Sequence, residues 1–236
     1  MNIVKDHCKN FKRYGEKRSA PLDSIQVHSI GTAQNSAKAV RDSMDQYNPG
    51  GIVHAVVDAE TDGLVLELLP DDNLAWADAG YGNQHSYTFE IAESDFMRYK
   101  NGGAEYEVTD EEKFLEDIRR GYRNAVDFAA QKCLQFGIQP TAKLPNGLYA
   151  LYSHNEGRLA GVSSAHVDPE HVWSKIGKTM DDFRRDVEAA MKEQEEGEGA
   201  GEERYLVQAG AFRNKENAER LAEKLRAAGF EAFVKS

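Results

Sequence analysis

SHNEGRLAGVSSAHVDPEHVW, residues 153–173, is the stretch around which the chain is read. It gathers His154, His166, His171 and Asp168 into a segment rich in glycine and serine. Gly157 and Gly161 loosen the backbone, and Pro169 biases Asp168 towards an extended conformation. Neither a regular helix nor a central strand is expected there. Neutral imidazole nitrogen and carboxylate oxygen are both good ligands for Zn2+, and a loop can aim them at one point. The same composition suits a polar loop whose histidines only hydrogen-bond their neighbours, and no compact HExxH pattern decides between the two.

Two strand-like segments bear on that choice. SIQVHSIG, residues 24–31, alternates Ile25 and Val27, ends on His28 and is broken by Gly31. It reads as a short strand delivering an imidazole at its carboxyl end, where open α/β sheets place their sites. SYTFEIAE, residues 86–93, holds Glu90 between Phe89 and Ile91. Alternation puts Glu90 on the face opposite both neighbours, where it is either a solvated residue or a functional one turned inwards. Residues 149–152 (YALY) form a third run, which hands His154 to the opening segment.

The remaining chain supplies the scaffold. Residues 1–23 read as a polar lead-in. Residues 36–47 have helical period, with Ala37, Val40 and Met44 on one stripe, stopped by Asn48-Pro49-Gly50-Gly51. Residues 52–57 and 64–69 read as strands joined by a turn at Asp62-Gly63. His54, within the first, reads as a hydrogen-bonded structural histidine. A loop over residues 70–82 carries Trp76. A polar stretch containing Asn101-Gly102-Gly103 precedes a long helix over 110–136, with Phe114, Ile118, Tyr122, Ala125, Ala129 and Cys133 on its buried side and Gly137 as its stop. Helical period returns at Met180 and decays into an acidic, glycine-containing linker at 196–203.

Composition narrows the function. The 236 residues suffice for one large domain and a small one. A net charge of −11, from 29 basic and 40 acidic residues, argues against nucleic acid and against anionic lipid. Cys8 and Cys133 stand far apart and offer neither a disulfide framework nor a CxxC motif. The N-terminus shows no apolar signal region, and no run reaches membrane-span length, so synthesis in the cytoplasm without membrane insertion is expected.

IQVHS around His28, residues 54–76 (HAVVDAETDGLVLELLPDDNLAW), SYTFEIAE around Glu90 and residues 153–173 resemble, in order, the motifs of the zinc-dependent N-acetylmuramoyl-L-alanine amidases of the amidase-2 family. That fold is shared with peptidoglycan-recognition proteins. The resemblance spans roughly residues 20–185. It implies an α/β fold, a mixed central sheet flanked by helices, within a catalytic domain at 1–185. It implies hydrolysis of the amide between N-acetylmuramic acid and L-alanine by zinc-activated water. The ligands it implies are His28, His154 and Asp168, with Glu90 as general base and His166 as an oxyanion donor. Glu93 stands as a fallback base, and His171 as a packing residue near Trp173. Trp76 would flank the substrate groove. Here the chain departs from the family, since Ala77 and Asp78 follow Trp76 where relatives commonly carry a histidine. A non-catalytic peptidoglycan-binding module is the alternative, but the third ligand such relatives lose is present as Asp168. A lysozyme would need facing carboxylates instead of a metal site. A phage or prophage endolysin acting on the cell wall after release is the implied setting, with a host autolysin as the alternative.

Beyond the linker, assigned to 186–203, residues 204–236 resemble the first half of a SPOR domain, a module that binds glycan strands stripped of their peptides. The carrying motifs are VQAGAF, NAERLAEKL and AAGF, which imply a small β-α-β segment. Such a segment lies below the roughly 40 residues that usually fold unaided. A second copy of the chain is therefore expected to complete it, giving a homodimer held through 204–236 by the Tyr205–Phe212 strand and the stripe of Ala218, Leu221, Leu225 and Ala228, with a frayed tail as the alternative.

Overall fold

A computed structural model of the protein describes residues 1–100, 104–201, 210, 214–227 and 234. The chain divides into two compact units, Met1–Gly197 and Glu198–Ser236.

From the N-terminus the elements run β1 (Asn2–Lys5), β2 (Ser24–Ser29), α1 (Ala37–Met44), β3 (Ala55–Val57), β4 (Leu64–Glu67), α2 (Tyr81–His85), β5 (Ser86–Ile91), β6 (Met97–Tyr99), β7 (Tyr106–Val108), α3 (Glu111–Phe136), β8 (Leu151–Ser153), α4 (His154–Leu159), α5 (Glu170–Trp173) and α6 (Met180–Gly201). Six strands form one mixed sheet in the order β1-β4-β3-β5-β2-β8, and β6 with β7 forms a separate hairpin. All neighbours in the large sheet are parallel except β3 and β4. This is the mixed α/β sheet flanked by helices that the sequence implied.

Alternation decides which face of each strand is packed. Ile25 and Val27 of β2, Ala55 and Val57 of β3, and Tyr87, Phe89 and Ile91 of β5 pack in one core with α3, Trp173 and the first turns of α6. Helix α3 begins where the Asp110 side chain accepts from the Lys113 amide and ends at Gly137, whose φ of 66° suits glycine. Its stripe of Phe114, Ile118, Tyr122, Ala125, Ala129 and Cys133 is buried. Gly121 lies where that helix crosses the sheet, and a Cβ there would come within 3.0 Å of Ile91 and 3.3 Å of Ala59. On the other face, α1 covers only the β3–β4 half, through Ala37 and Val40 against Val56 and Leu66. The opposite half of that face, on β5, β2 and β8, is left to polar side chains.

The structure differs from the sequence reading in five places. Residues 1–23 are not a polar lead-in throughout: Asn2–Lys5 pairs with β4, and Cys8 and Phe11 are buried. A four-residue strand shows too little periodicity to announce itself, and its partner defines it. The strand expected at 52–57 is regular only over Ala55–Val57, with Ile52 forming an isolated bridge to Trp76. The polar stretch after Glu93 contains the β6–β7 hairpin, paired from Met97↔Val108 to Tyr99↔Tyr106. The segment 153–173 holds two short helices where none was expected. Ser153 and Glu156 close a reciprocal capping box that starts α4 despite Gly157, and a Cβ on Gly157 would lie 2.3 Å from Ser163 Oγ. Finally, α6 continues to Gly201, through most of the expected linker.

In the smaller unit, helix α7 (Lys215–Ala227) occupies the helical part of the C-terminal motif. Ala222 is buried, with Ala218, Leu221 and Leu225 half-buried on the same stripe. The two strands expected on either side of α7, and the pairing expected of them, lie outside the described residues. Among the described residues no helix is long and apolar enough to cross a membrane.

His54 is a structural histidine. The Thr88 amide donates to its Nδ1 at 3.0 Å, so Nε2 carries the proton and donates to the Asn73 carbonyl at 2.9 Å. Its ring stacks on Tyr87 at 4.7 Å. Burial, reinforced by the Arg18 charge, pushes its pKa down to about 3. The unfolded chain therefore binds a proton on His54 that the folded chain refuses between about pH 6.5 and about 3. Stability associated with His54 is complete above that window and lost as pH falls through it. In metal-free protein, His54→Gln is expected to flatten the pH dependence of urea-denaturation midpoints across the window. An unchanged slope would contradict this.

Candidate metal centre

The polar half of the sheet face carries the site. In the parallel register of β2 and β5, His28 lies opposite Glu90, two pairs beyond Gln26 and Thr88. Side chains two residues apart share a face, so the alternation that buries Ile25, Val27, Phe89 and Ile91 turns His28 and Glu90 to the other side. Strand β8 adds to β2 through Val27↔Ser153, which sets His154, the first residue of α4, beside His28. Asp168 enters from the following loop.

Three side chains converge. His28 Nδ1 and His154 Nδ1 are 2.9 Å apart. Asp168 Oδ2 lies 3.4 Å from the first, and Oδ1 lies 3.6 Å from the second. All three residues are buried, and they are the group able to hold a metal ion among the described residues. Two imidazole nitrogens face to face beside a carboxylate can share one positive charge. Burial opposes a proton on His28, but the Asp168 bond and the Glu90 and Asp168 charges outweigh it and raise the His28 pKa. Burial and the His28 charge hold His154 down to about 4. Asp168 is depressed although burial opposes this, through its bond to His28 and the charges of both histidines. A tetrahedral zinc ion bonded at about 2.0–2.2 Å would space its donors about 3.3 Å apart. The observed separations bracket that value, so the donor set fits the ion.

Glu90 is half-buried, and its Oε2 is enclosed without a hydrogen-bond partner. Burial pushes its carboxyl up to about 8. His166 is exposed, its ring 4.8 Å from that of His154. His171 does not simply pack by Trp173: its Nε2 meets the Tyr99 hydroxyl at 2.6 Å. Glu93 lies beyond the end of β5, where strand alternation no longer fixes its side. It is fully buried and accepts from Ser29 Oγ at 2.8 Å, the Gly31 amide at 3.1 Å and the Tyr99 hydroxyl at 2.6 Å. Trp76 is 38% exposed, with the Lys12 amine 5.3 Å and the Arg13 guanidinium 5.8 Å from its ring.

The surrounding framework escaped the sequence reading. Asp78 is completely buried. Its carboxylate accepts from the Gly80, Gly82 and Asn83 amides, from Gln26 Nε2 and from Ser163 Oγ. Its carbonyl accepts from the Ser164 amide, and Ser164 Oγ meets His154 Nε2 at 2.9 Å. Asp78 thus anchors the loop that contacts the outer nitrogen of a candidate ligand. Arg184 of α6 grips both oxygens of Glu156 at 2.9 Å and the Leu151 carbonyl at 3.0 Å, fixing the junction of β8 and α4. The concavity bordered by Lys5, Asp6, His7, Lys9 and Arg41 adjoins β1, at the other edge of the sheet, and Arg41 is paired there with Asp6 and Asp45.

A buried cluster of potential metal donors at the carboxyl ends of parallel strands is what fold and site define. The N-acetylmuramoyl-L-alanine amidase family model matches residues 18–171, more than half of the chain, and the SPOR domain model matches residues 201–236. The chain belongs to the N-acetylmuramoyl-L-alanine amidase family, and peptidoglycan is its substrate class. Its structure is similar to that of Staphylococcus aureus hydrolase AmiA in complex with its ligand, with 18% identity, TM-score 0.63, and coverage of 83% of this chain and 86% of that one. It is similar to the PlyG catalytic domain at 20% identity, TM-score 0.55, covering 81% and 96%. It is also similar to a mutant endolysin from Bacillus subtilis at 16% identity, TM-score 0.52, covering 79% and 99%. At these identities the likeness is one of fold. Comparison with curated proteins finds no match.

Asp78→Ala would leave buried amides without an acceptor, each worth about 1–3 kcal/mol. The variant is expected to lose more than about 2 kcal/mol of stability in urea denaturation, with Asp78→Asn losing less. Equal stability of Asp78→Ala and the unaltered protein would contradict the anchoring role.

Proposed function

We propose that this amidase is zinc-dependent, with His28, His154 and Asp168 holding the ion and Glu90 acting as general base and acid. The observation carrying the proposal is the convergence of the three donor atoms beside a carboxyl paired in register with one of them. When bound, zinc supplies Lewis acidity, lowering the pKa of water and polarising the scissile carbonyl. Two neutral imidazoles and one carboxylate leave that ion a net positive charge. Glu90 accepts a proton from the attacking water as its oxygen adds to the carbonyl carbon. It returns that proton to the alanine nitrogen as the carbon–nitrogen bond breaks. A carboxyl lifted towards neutrality by burial suits both transfers. His166, exposed beside His154, is placed to offer a donor to the carbonyl oxygen as it gains charge.

The alternative, a peptidoglycan-binding module without turnover, lacks support in a site that keeps all three candidate ligands and Glu90. For biological setting we propose an endolysin: chains of similar fold include endolysins, with a host autolysin as the other reading. The SPOR segment would add affinity for glycan strands lacking peptides.

Glu90→Gln is expected to retain stoichiometric zinc while losing about 100- to 10,000-fold in turnover on purified cell walls. His28→Ala is expected to lose the metal itself, read by atomic absorption after dialysis. Near-normal turnover by Glu90→Gln would remove the general base, and full zinc occupancy in His28→Ala would remove the ligand assignment.

A further inference from the structure

Glu93 has no part in the chemistry above, yet few side chains in the molecule are so thoroughly engaged. The same carboxylate meets two separate stretches of chain. On one side it accepts from Ser29 Oγ and the Gly31 amide, at the end of β2. Ser29 follows His28 directly, and its own amide donates to Asp168 Oδ2 at 3.2 Å. On the other side it accepts from Tyr99, whose hydroxyl also meets His171 Nε2 at 2.6 Å. Glu93 Oε1 itself is 3.5 Å from that nitrogen. His171 lies three residues beyond Asp168, and the Tyr106 hydroxyl donates to its carbonyl at 3.2 Å. The β6–β7 hairpin therefore bears on the segment carrying Asp168, and Glu93 joins that hairpin to the strand carrying His28.

The energetics favour a positional role over a passive one. A carboxylate with no exposed surface must be compensated by donors, and each of the three here comes from a segment adjoining the candidate metal centre. With its oxygens committed in this way, Glu93 is poorly placed to receive a proton from substrate water. We propose that Glu93 is a positioning residue for the metal centre. Through Ser29, and through Tyr99 and His171, it fixes the separation between the His28 and Asp168 donors. The inference rests on the zinc reading above. Outer partners of metal ligands typically control affinity by about 10- to 100-fold.

The test is zinc affinity of the full chain, measured by competition with a chromophoric chelator, together with the visible spectrum of the cobalt-substituted protein. Glu93→Ala and Tyr99→Phe are compared with Asp117→Asn. Asp117 is a buried carboxylate bonded to Ser94 and Asn35, away from the three ligands. Glu93→Ala is expected to bind zinc about 10- to 100-fold more weakly, with a shifted cobalt spectrum. Tyr99→Phe removes a single hydroxyl, so it keeps the test available if Glu93→Ala does not fold, and a loss of at least about threefold is expected. Asp117→Asn is expected to change thermal stability and leave affinity unaltered. Affinities and spectra of the folded variants matching the unaltered protein would overturn the positioning role while leaving the zinc reading intact. Failure of the unaltered protein to bind zinc would overturn both.

Discussion

The register between β2 and β5 is the constraint on which the site depends. A slip of β2 by one residue would carry His28 into the core and turn Val27 outwards, and a slip of β5 would do the same to Glu90 and Phe89, because the side-chain period of a strand is two. The apolar neighbours thus hold the polar pair in place: Val27 and Phe89 have no exposed surface, and Phe89 meets Phe128 of α3 edge to face at 5.4 Å. Packing on one face of the sheet specifies chemistry on the other. The pairing of β8 with β2 extends this to His154, which leaves the sheet as the first residue of a capped helix beside His28.

A concentration of buried charge is the cost of this arrangement. Burial disfavours ionisation of Glu90 and Glu93, and the Asp168 charge adds to it at both, as does the Glu93 charge at Glu90. Glu93 is held up to about 7 although Tyr99, Ser29 and Gly31 all donate to it. Such a cluster gains from a positive charge at its centre, supplied by protonated His28 or by a divalent ion. The centre and its framework of Asp78, Ser164, Arg184 and Glu93 concentrate polar side chains around the β5–β2–β8 part of the sheet.

Much of this was legible in the sequence, for a reason that can be stated. His28 and Glu90 stand on strands with clear apolar alternation, which assigns faces without knowledge of tertiary partners, and His154 closely follows an apolar run. The long α3 announced itself by period and by Gly137 at its end. The framework was not legible. Asp78 and Ser163, Tyr99 and His171, and Arg184 and Glu156 are pairs separated by 85, 72 and 28 residues, with no local pattern to join them. Gly157 and Gly161 argued against a helix in residues 153–173, yet the Ser153–Glu156 capping box was present in the sequence and carried the opposite signal. Strand β1 was hidden because four residues contain too few alternations to stand out.

Product analysis of digested cell wall tests the central claim most directly. Chelator-stripped protein, with and without added zinc, is incubated with purified peptidoglycan and the soluble products are resolved by mass spectrometry. A zinc-dependent amidase yields free L-alanine amino termini and intact glycan strands, only when zinc is restored. New reducing sugar ends without new amino termini, or equal release without the metal, would contradict the account.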